Sequence, residues 1–567
     1  MSPSPASPRR VLTAVFLAAV ALVVLLATSR DYAMVWDEGH TIRRERTLLK
    51  WFALVAEGGS SREEAFTAKS LAAFWPFSRA EPNGHPPFYA LLGLAGWWVS
   101  HRWVDPLSAY RFGPMILASA TVGIVFHHMA GRRGGFTGLV AAGSLAFTPQ
   151  VFSLAHYAHY DMPVACLWLL AQIAFLNGVR SRLWGVPFGV FLGLAAGTKF
   201  TGVFAVVAPF VWTLLFEWLP RLHFSHSPAN PAKARASGAA AFAGTRTLLL
   251  GGLVAALTLY AIQPAWWSEP FEGLIRYVGS NLSRDATKPI PTMYLGRFYA
   301  FSLPWHNTIV LTAVSIPVGI LALAFTGISS VLLTRPLDRD GVLWVLSWLT
   351  LMIVRALPNA PGHDGVRLFL PSVVSLAMLA GIGFQAWQRW LSLPQISCRW
   401  LPQVFAAMAL GGGFLGIIQL YPYTLSYYNA ALGGLKGAER HGFELTYYWD
   451  TMGPEFFEWL RNERLKRPLE IRFPADLVNI AYLREWKMLP DNVPILRFDP
   501  GTSQEDYVLQ RRRGHFYPYD WWLENHGQAE FTISRQGVDL LRVYTHAESL
   551  KAYESTRNVP IPQHLKN

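Results

Sequence analysis

Along most of this chain apolar residues gather in blocks rather than alternating with polar ones. Blocks long enough to cross a bilayer lie at about 11–29, 108–129, 135–153, 162–179, 183–198, 200–218, 247–264, 306–332, 341–357, 367–388 and 401–420, eleven in all. A spanning helix needs about 20 apolar residues, and several of these blocks are short and Gly-rich. The first block follows Arg9-Arg10 and has no convincing small-residue cleavage site before Arg30-Asp31. It reads as an uncleaved first helix, not a signal peptide.

The loops between blocks alternate in charge. Arg9-Arg10, Arg132-Arg133, Arg180/Arg182, the stretch from Arg221 to Arg246, Arg335/Arg339 and Arg389/Arg399 fall on one side, which the positive-inside rule makes cytoplasmic. The segment 86–100, following His85 and containing Trp97-Trp98, is too short to cross comfortably. Were it to cross, the basic loops around Arg132 and Lys233 would lie outside. It therefore reads as a juxtamembrane or re-entrant helix on the outer surface. That choice puts 30–107, 154–161, the turn at 198–200, 265–305, 358–366 and everything after 421 on the outer side.

Other periodicities fill in the remainder. Amphipathic stretches at 40–57 and 62–74 suit interfacial helices, and 219–246 reads as a flexible cytoplasmic linker. The loop 265–305, with Trp266-Trp267, reads either as an interfacial anchor or as a cover over the site. After Leu420 the pattern becomes that of a soluble domain, with helices expected at 454–464 and 475–486. Strands are expected at 469–473, 493–498, 506–510 and 529–544. The fold class is therefore a mainly α, polytopic membrane protein of about eleven transmembrane helices, with a small C-terminal α/β domain. The expected division is 1–435 and 436–567.

Composition agrees with this. The chain is 52% hydrophobic and only 15% charged, with 23 Trp, whereas soluble domains carry roughly 25% charged residues. Tryptophan suits the two interfaces of a bilayer. The formal charge of +13 belongs with cytoplasmic loops and anionic lipid, not nucleic acid. The two cysteines, Cys166 in an apolar block and Cys398 in a basic loop, make neither an expected disulfide nor a metal cluster.

Five polar sites fall on the outer side: Asp37/Glu38, His85 before Pro86-Pro87, Asp161, Lys199, and His363-Asp364 with Arg367. Charges at the edge of a membrane are costly and usually have a task. Lys199 sits in a turn with no room for a solvated loop, so it must find an anion; pairing with Asp161 is one reading and a phosphate the other. Arg367 suits bidentate phosphate recognition. A carboxylate facing phosphate-binding cations fits transfer from a phosphate leaving group to a hydroxyl. Asp37, Glu38, His40, His85, Asp161, His156 and His159 also include metal-ligand types, so a divalent metal is an alternative cofactor but not the favoured one. The sequence has no P-loop, HExxH or paired CxxC.

Together, Trp36-Asp-Glu-Gly39, His85-Pro-Pro87, Tyr160-Asp-Met-Pro163, Gly197-Thr-Lys199 and Arg367-Leu-Phe-Leu-Pro371 resemble the GT-C membrane glycosyltransferases. The resemblance is to family 39, which includes protein O-mannosyltransferases and aminoarabinose transferases, and it runs over about residues 10–430. Tyr427 to Gly434 and Tyr447-Tyr-Trp-Asp450 resemble a bacterial subgroup. The family implies an inverting hexosyl or pentosyl transferase that uses a polyprenyl-phosphate-linked sugar on the outer face of the inner membrane. It implies a general-base role for Asp37, with Glu38 as its neighbour and Asp161 at the second acidic position. It implies donor-phosphate contacts at His85, Lys199 and Arg367, and no bound metal. His85 stands where some members have Lys, so a fixed charge there is lacking at neutral pH. The acceptor, a protein hydroxyl, lipid or glycan, is not legible. A lipid-modifying phosphotransferase, a transporter and a non-catalytic envelope scaffold are the competing readings.

Overall fold

The computed structural model describes residues 7–77, 85–220, 242–283, 290–391, 400–464, 466, 471–472, 476–490, 493–496, 506–510 and 518–560. Among these, seven helices are long and apolar enough to cross a membrane by length and composition. They are Pro8–Asp31, Pro106–Arg133, Asp161–Gly178, Phe200–Trp218, Ala243–Ala261, Gly365–Leu391 and Leu401–Leu420. The other expected blocks are helical too. Two are interrupted, at Pro149 and Pro317, which removes a backbone donor and bars the preceding residue from helical geometry. Thus 135–153 becomes Gly135–Ala146 and Pro149–Leu154, and 306–332 becomes Asn307–Ser315 and Val318–Leu333. The chain is a multi-pass membrane protein. Phe88–Ser100 is a 13-residue helix, short for a crossing as expected.

The helices differ sharply in burial. Gly365–Leu391 is buried over its whole apolar window, whereas only 6% of the first helix's window is covered by protein. The central helix packs on Val318–Leu333, Arg339–Ala356 and Gly135–Ala146. Its contact with Val318–Leu333 is made backbone to backbone: a Cβ on Gly383 would meet the Leu323 carbonyl oxygen at 1.8 Å, and one on Gly327 the Leu379 oxygen at 1.9 Å. Small residues permit such approach where water supplies no driving force between helices. Gly383→Leu should therefore cost at least about 1–3 kcal/mol of overpacking, read as a lower melting temperature and loss of monodisperse protein in detergent. Unchanged melting would show that the two helices can separate without penalty.

The helices run so that the same residues gather at each end. The starts of Asp161–Gly178 and Gly365–Leu391 meet the start of Glu38–Glu57 at one end. The opposite end collects the C-termini of Pro106–Arg133, Asp161–Gly178 and Leu370–Leu391. At the first end, the expected amphipathic stretches are the helices Glu38–Glu57, Gly59–Ala65 and Ala68–Phe74. Trp51 donates to the Ala65 carbonyl at 2.8 Å and packs edge-on against Trp75. Within 265–305 lie the helix Pro270–Leu282 and a two-stranded hairpin, Thr292–Tyr294 with Arg297–Tyr299.

Beyond 421 the helices Pro454–Arg464 and Leu477–Glu485 form as read. A five-stranded mixed sheet follows, in the order Ile495–Leu496, Ile471–Arg472, Asp506–Gln510, Val538–Tyr544, Ala529–Arg535. The single strand expected over 529–544 is instead a hairpin. Gln536 and Gly537 both take positive φ, the backbone of a tight two-residue turn whose twist matches the strands. Cys166 is a buried free thiol. Cys398 and most of the 219–246 linker lie outside the described residues.

Candidate active site

Asp37 ends a short loop at the N-cap position of Glu38–Glu57, its side chain making no capping bond to that helix. Its side-chain contacts all converge on Oδ2. The Tyr448 hydroxyl donates at 2.7 Å and the Tyr160 hydroxyl at 2.9 Å. His159 Nε2 lies at 3.4 Å and Arg367 Nη1 at 3.5 Å. Oδ1 makes no hydrogen bond or ion pair among the described residues. Burial pushes the carboxyl up, but the hydrogen bond from His159, the Arg367 charge and the Tyr448 hydroxyl outweigh it and hold Asp37 well below the usual carboxylate range. Its side chain is 30% exposed, against 2% for Asp161 and 5% for Lys199 and Arg367. Asp37 is thus the accessible member of a buried cluster.

Behind it, Asp161 Oδ1 accepts from Lys199 Nζ at 2.5 Å and Oδ2 faces His159 Nδ1 at 2.7 Å. Arg367 Nη1 is 3.6 Å from Asp161 and Nη2 is 3.0 Å from Asp364. The guanidinium also lies 3.9 Å from the centre of the Tyr448 ring. Lys199 stands in the turn between Gly185–Ala196 and the 3₁₀ segment Phe200–Val206, which keeps it off the lipid face. Burial draws its amine down to about 8 while Asp161 resists. It retains N–H donors beyond the one used by Asp161. The Arg367 Nε, also buried, has no hydrogen-bond partner among the described residues. These spare donors are what an incoming anion would use.

The sequence-selected residues divide clearly. Asp37, Asp161, Lys199, Asp364 and Arg367 form one cluster. His85 borders it, its ring 3.7 Å from that of Tyr160, and His363 Nε2 lies 3.9 Å from Asp364. Glu38 stands apart from its neighbour. It is fully buried, paired through both oxygens with Arg111 at 2.8 Å, and takes backbone N–H bonds from Val35 and Ala158. Both oxygens are thus taken up by bonds within the fold, and Glu38 points into the support of the loop and away from the cluster around Asp37.

Of the metal-ligand types, Asp37, Asp161 and His159 meet in the cluster, while His156 and His40 lie apart from it. His156 is held by Thr28 and the Phe152 carbonyl and stacks on Tyr32 at 4.0 Å. His40 turns to Asp476 at 2.9 Å.

Four contributors escaped the sequence reading. Tyr160 and Tyr448 hold Asp37; Arg111 holds Glu38; Asn479 holds the loop itself. Asn479 donates to the Val35 carbonyl at 2.9 Å and accepts from Gly39 N at 3.0 Å, so it brackets Asp37 from both sides. Tyr448 and Trp449 both take left-handed backbone, φ 61° and 64°, and this turns the Tyr448 ring inward. Tyr160 and Tyr448 lie inside motifs already noted, but no spacing rule links either to residue 37.

Comparison with known proteins adds one independent observation. Residues 85–229 match the family described as dolichyl-phosphate-mannose-protein mannosyltransferase. That stretch carries three of the motifs, those of His85, Asp161 and Lys199, so the resemblance read from the sequence is borne out there. Asp37 and Arg367 lie outside it. No curated protein matches the chain. Among solved structures, ArnT from Cupriavidus metallidurans in the apo state aligns over 94% of this chain and 98% of its own at 14% identity and a TM-score of 0.47. The archaeal oligosaccharyltransferase AglB from Archaeoglobus fulgidus, in complex with an inhibitory peptide and a dolichol-phosphate, aligns over 85% and 60% at 13% identity and a TM-score of 0.41.

Proposed function

We propose that the chain is a membrane glycosyltransferase that moves a sugar from a polyprenyl-phosphate carrier to an acceptor hydroxyl. The observation that carries this reading is the pairing of one accessible, ionised carboxylate with two buried cations that keep spare donors. The family match over 85–229 supports the same chemistry.

In this reading the acceptor oxygen attacks the anomeric carbon while its proton passes to Asp37 Oδ1. The carbon–oxygen bond to phosphate breaks, and the leaving phosphate takes its charge to Lys199 and the Arg367 Nε, with His85 at the rim. One displacement inverts the anomeric centre; the transferred sugar is a hexose or pentose. Asp161 and Asp364 hold the two cations in place. A fixed cation near a departing phosphate is worth several kcal/mol of transition-state stabilisation. No step needs a metal.

The cluster lies at helix ends, not halfway along the bundle, which suits an interfacial transferase better than a transporter. The arginines at the opposite end support a reading in which Asp37 faces the outer side of a bacterial inner membrane and the N-terminus is cytoplasmic. Residues 436–567 act in this reading as a second, periplasmic domain whose Asn479 steadies the catalytic loop.

The test is to supply the purified chain with radiolabelled polyprenyl-phosphate sugars and follow release of free polyprenyl phosphate. Consumption of one donor class is expected. Failure to consume or bind any of them would overturn the reading.

The pH profile is a second check. Asp37 stays ionised to well below the usual carboxylate range, so protonation does not limit turnover at neutral pH. Lys199 loses its charge as pH rises through about 8, and turnover should fall there. Lys199→Arg, charged to beyond about 12, should keep activity past that point. An alkaline limb unchanged in Lys199→Arg would assign it elsewhere.

A further inference from the structure

At the end of the bundle opposite Asp37 the helices enclose a polar cavity of about 490 Å³. It is lined by the C-terminal turns of Pro106–Arg133 and Leu370–Leu391, the residues just after Asp161–Gly178, and the first turn of Arg339–Ala356. Five arginines and two aspartates face it, an excess of three positive charges.

The aspartates are fully committed. Asp340 takes Arg132 and Arg180, each at 3.0 Å. Asp338 takes Arg133 and also caps the helix that follows, accepting from Gly341 N at 3.2 Å. Arg339 and Arg389 find no carboxylate among the described residues, and both are exposed; Arg339 rests over the Phe216 ring at 5.1 Å. Helix C-termini carry roughly half a negative charge each and so offset part of the excess. They do not remove it, because the N-terminus of Arg339–Ala356 opens into the same space with the opposite sign.

A cavity of this size, polar, cationic and placed at the membrane edge, has the chemistry of a lipid phosphate site. Guanidinium forks match phosphate oxygens two at a time, and basic pockets between transmembrane helices hold anionic head groups. Asp338 and Asp340 hold Arg132, Arg133 and Arg180 in a fixed wall, so the site is built before a ligand arrives. Arg339 and Arg389 supply the unspent charge.

We infer that this cavity binds the phosphate head group of a membrane lipid, on the face of the bundle away from the transfer site. The chemistry admits two sources, an anionic phospholipid or a polyprenyl phosphate. The inference stands on the cavity's own residues and does not depend on the transferase reading.

The test is lipid retention by the full chain in detergent, followed by native mass spectrometry. The chain is titrated separately with phosphatidylglycerol, with undecaprenyl phosphate, and with phosphatidylcholine as a zwitterionic control. Wild type is compared with Arg339→Gln/Arg389→Gln. Neither residue makes an ion pair among the described residues, so the variant should keep its fold, checked by an unchanged melting temperature. At least a tenfold weaker retention of one phosphate lipid, with phosphatidylcholine unaffected, is expected. Loss confined to phosphatidylglycerol assigns an anionic phospholipid. Loss of one of two bound undecaprenyl phosphates assigns a second carrier site, the other copy lying near Lys199. Equal retention of every lipid by wild type and variant overturns the inference.

Discussion

Asp37→Asn should lower turnover about 10³-fold, the usual worth of a positioned general base, while leaving the protein folded. Asparagine keeps an oxygen that can accept from Tyr448 and Tyr160, which donate at 2.7 and 2.9 Å, so the loop keeps its anchors. What disappears is the charge and the proton acceptor. Donor binding should survive because Lys199 and Arg367 are untouched, and relief of their attraction to Asp37 should tighten it if anything. The measurement is turnover against donor concentration, together with melting temperature. A variant that turns over within tenfold of wild type would remove Asp37 from the mechanism. Loss of folding would instead mean that the carboxylate is chiefly an anchor for Arg367 and His159. Asp37→Glu separates the two cases, since it restores the charge at a shifted position.

The second large effect lies outside the reacting cluster. Arg111 is fully buried and uses its entire fork. It binds both Glu38 oxygens and donates to the carbonyls of Ser29, Tyr32 and Ala33 at 2.7–3.1 Å. The loop between the first helix and Asp37 is wound around this one side chain. Arg111→Met would leave the Glu38 carboxylate uncompensated in a dry site, at a cost of about 3–5 kcal/mol. The expected result is a steep fall in melting temperature with loss of turnover. Arg111→Met combined with Glu38→Gln should recover much of the stability, because no unpaired charge remains, without recovering full turnover, because the three carbonyls stay unsatisfied. If the single variant melts like wild type, the knot does not organise the loop.

The two effects differ in how visible they were beforehand. Asp37 stood out because a carboxylate beside a membrane span needs a reason to be there. Arg111 did not: it lies within the apolar block 108–129, with nothing local to show that its partner is 73 residues away. Glu38 shows the opposite case. Adjacent in sequence to Asp37, it reads as the other half of a catalytic pair. Yet one helical residue turns the side chain by about 100°, into Arg111 and away from the cluster.

Tertiary structure also supplied the residues that hold Asp37. Tyr448 approaches from 411 residues further along and Asn479 brackets the loop from beyond 470. Their positions depend on a left-handed turn at Tyr448-Trp449 and on the docking of a helix, and neither leaves a periodic trace. The hairpin at Gln536-Gly537 is a smaller case, in which a turn within one apolar pattern was read as continuous strand.

By itself the sequence determined the class of protein, most of its helical segments and the polar residues at one end of them. This is because bilayer thickness sets block length and desolvation makes each retained charge conspicuous. It did not determine which block lies at the centre. Gly365–Leu391 and Pro8–Asp31 are both simply apolar, yet one is enclosed by protein and the other almost wholly uncovered. Lipid and protein interior are equally good solvents for such side chains, so hydropathy cannot tell them apart. Only the packing decides, through close approaches such as Gly327 on Gly383, and with it which charges meet and which one stays open to a substrate.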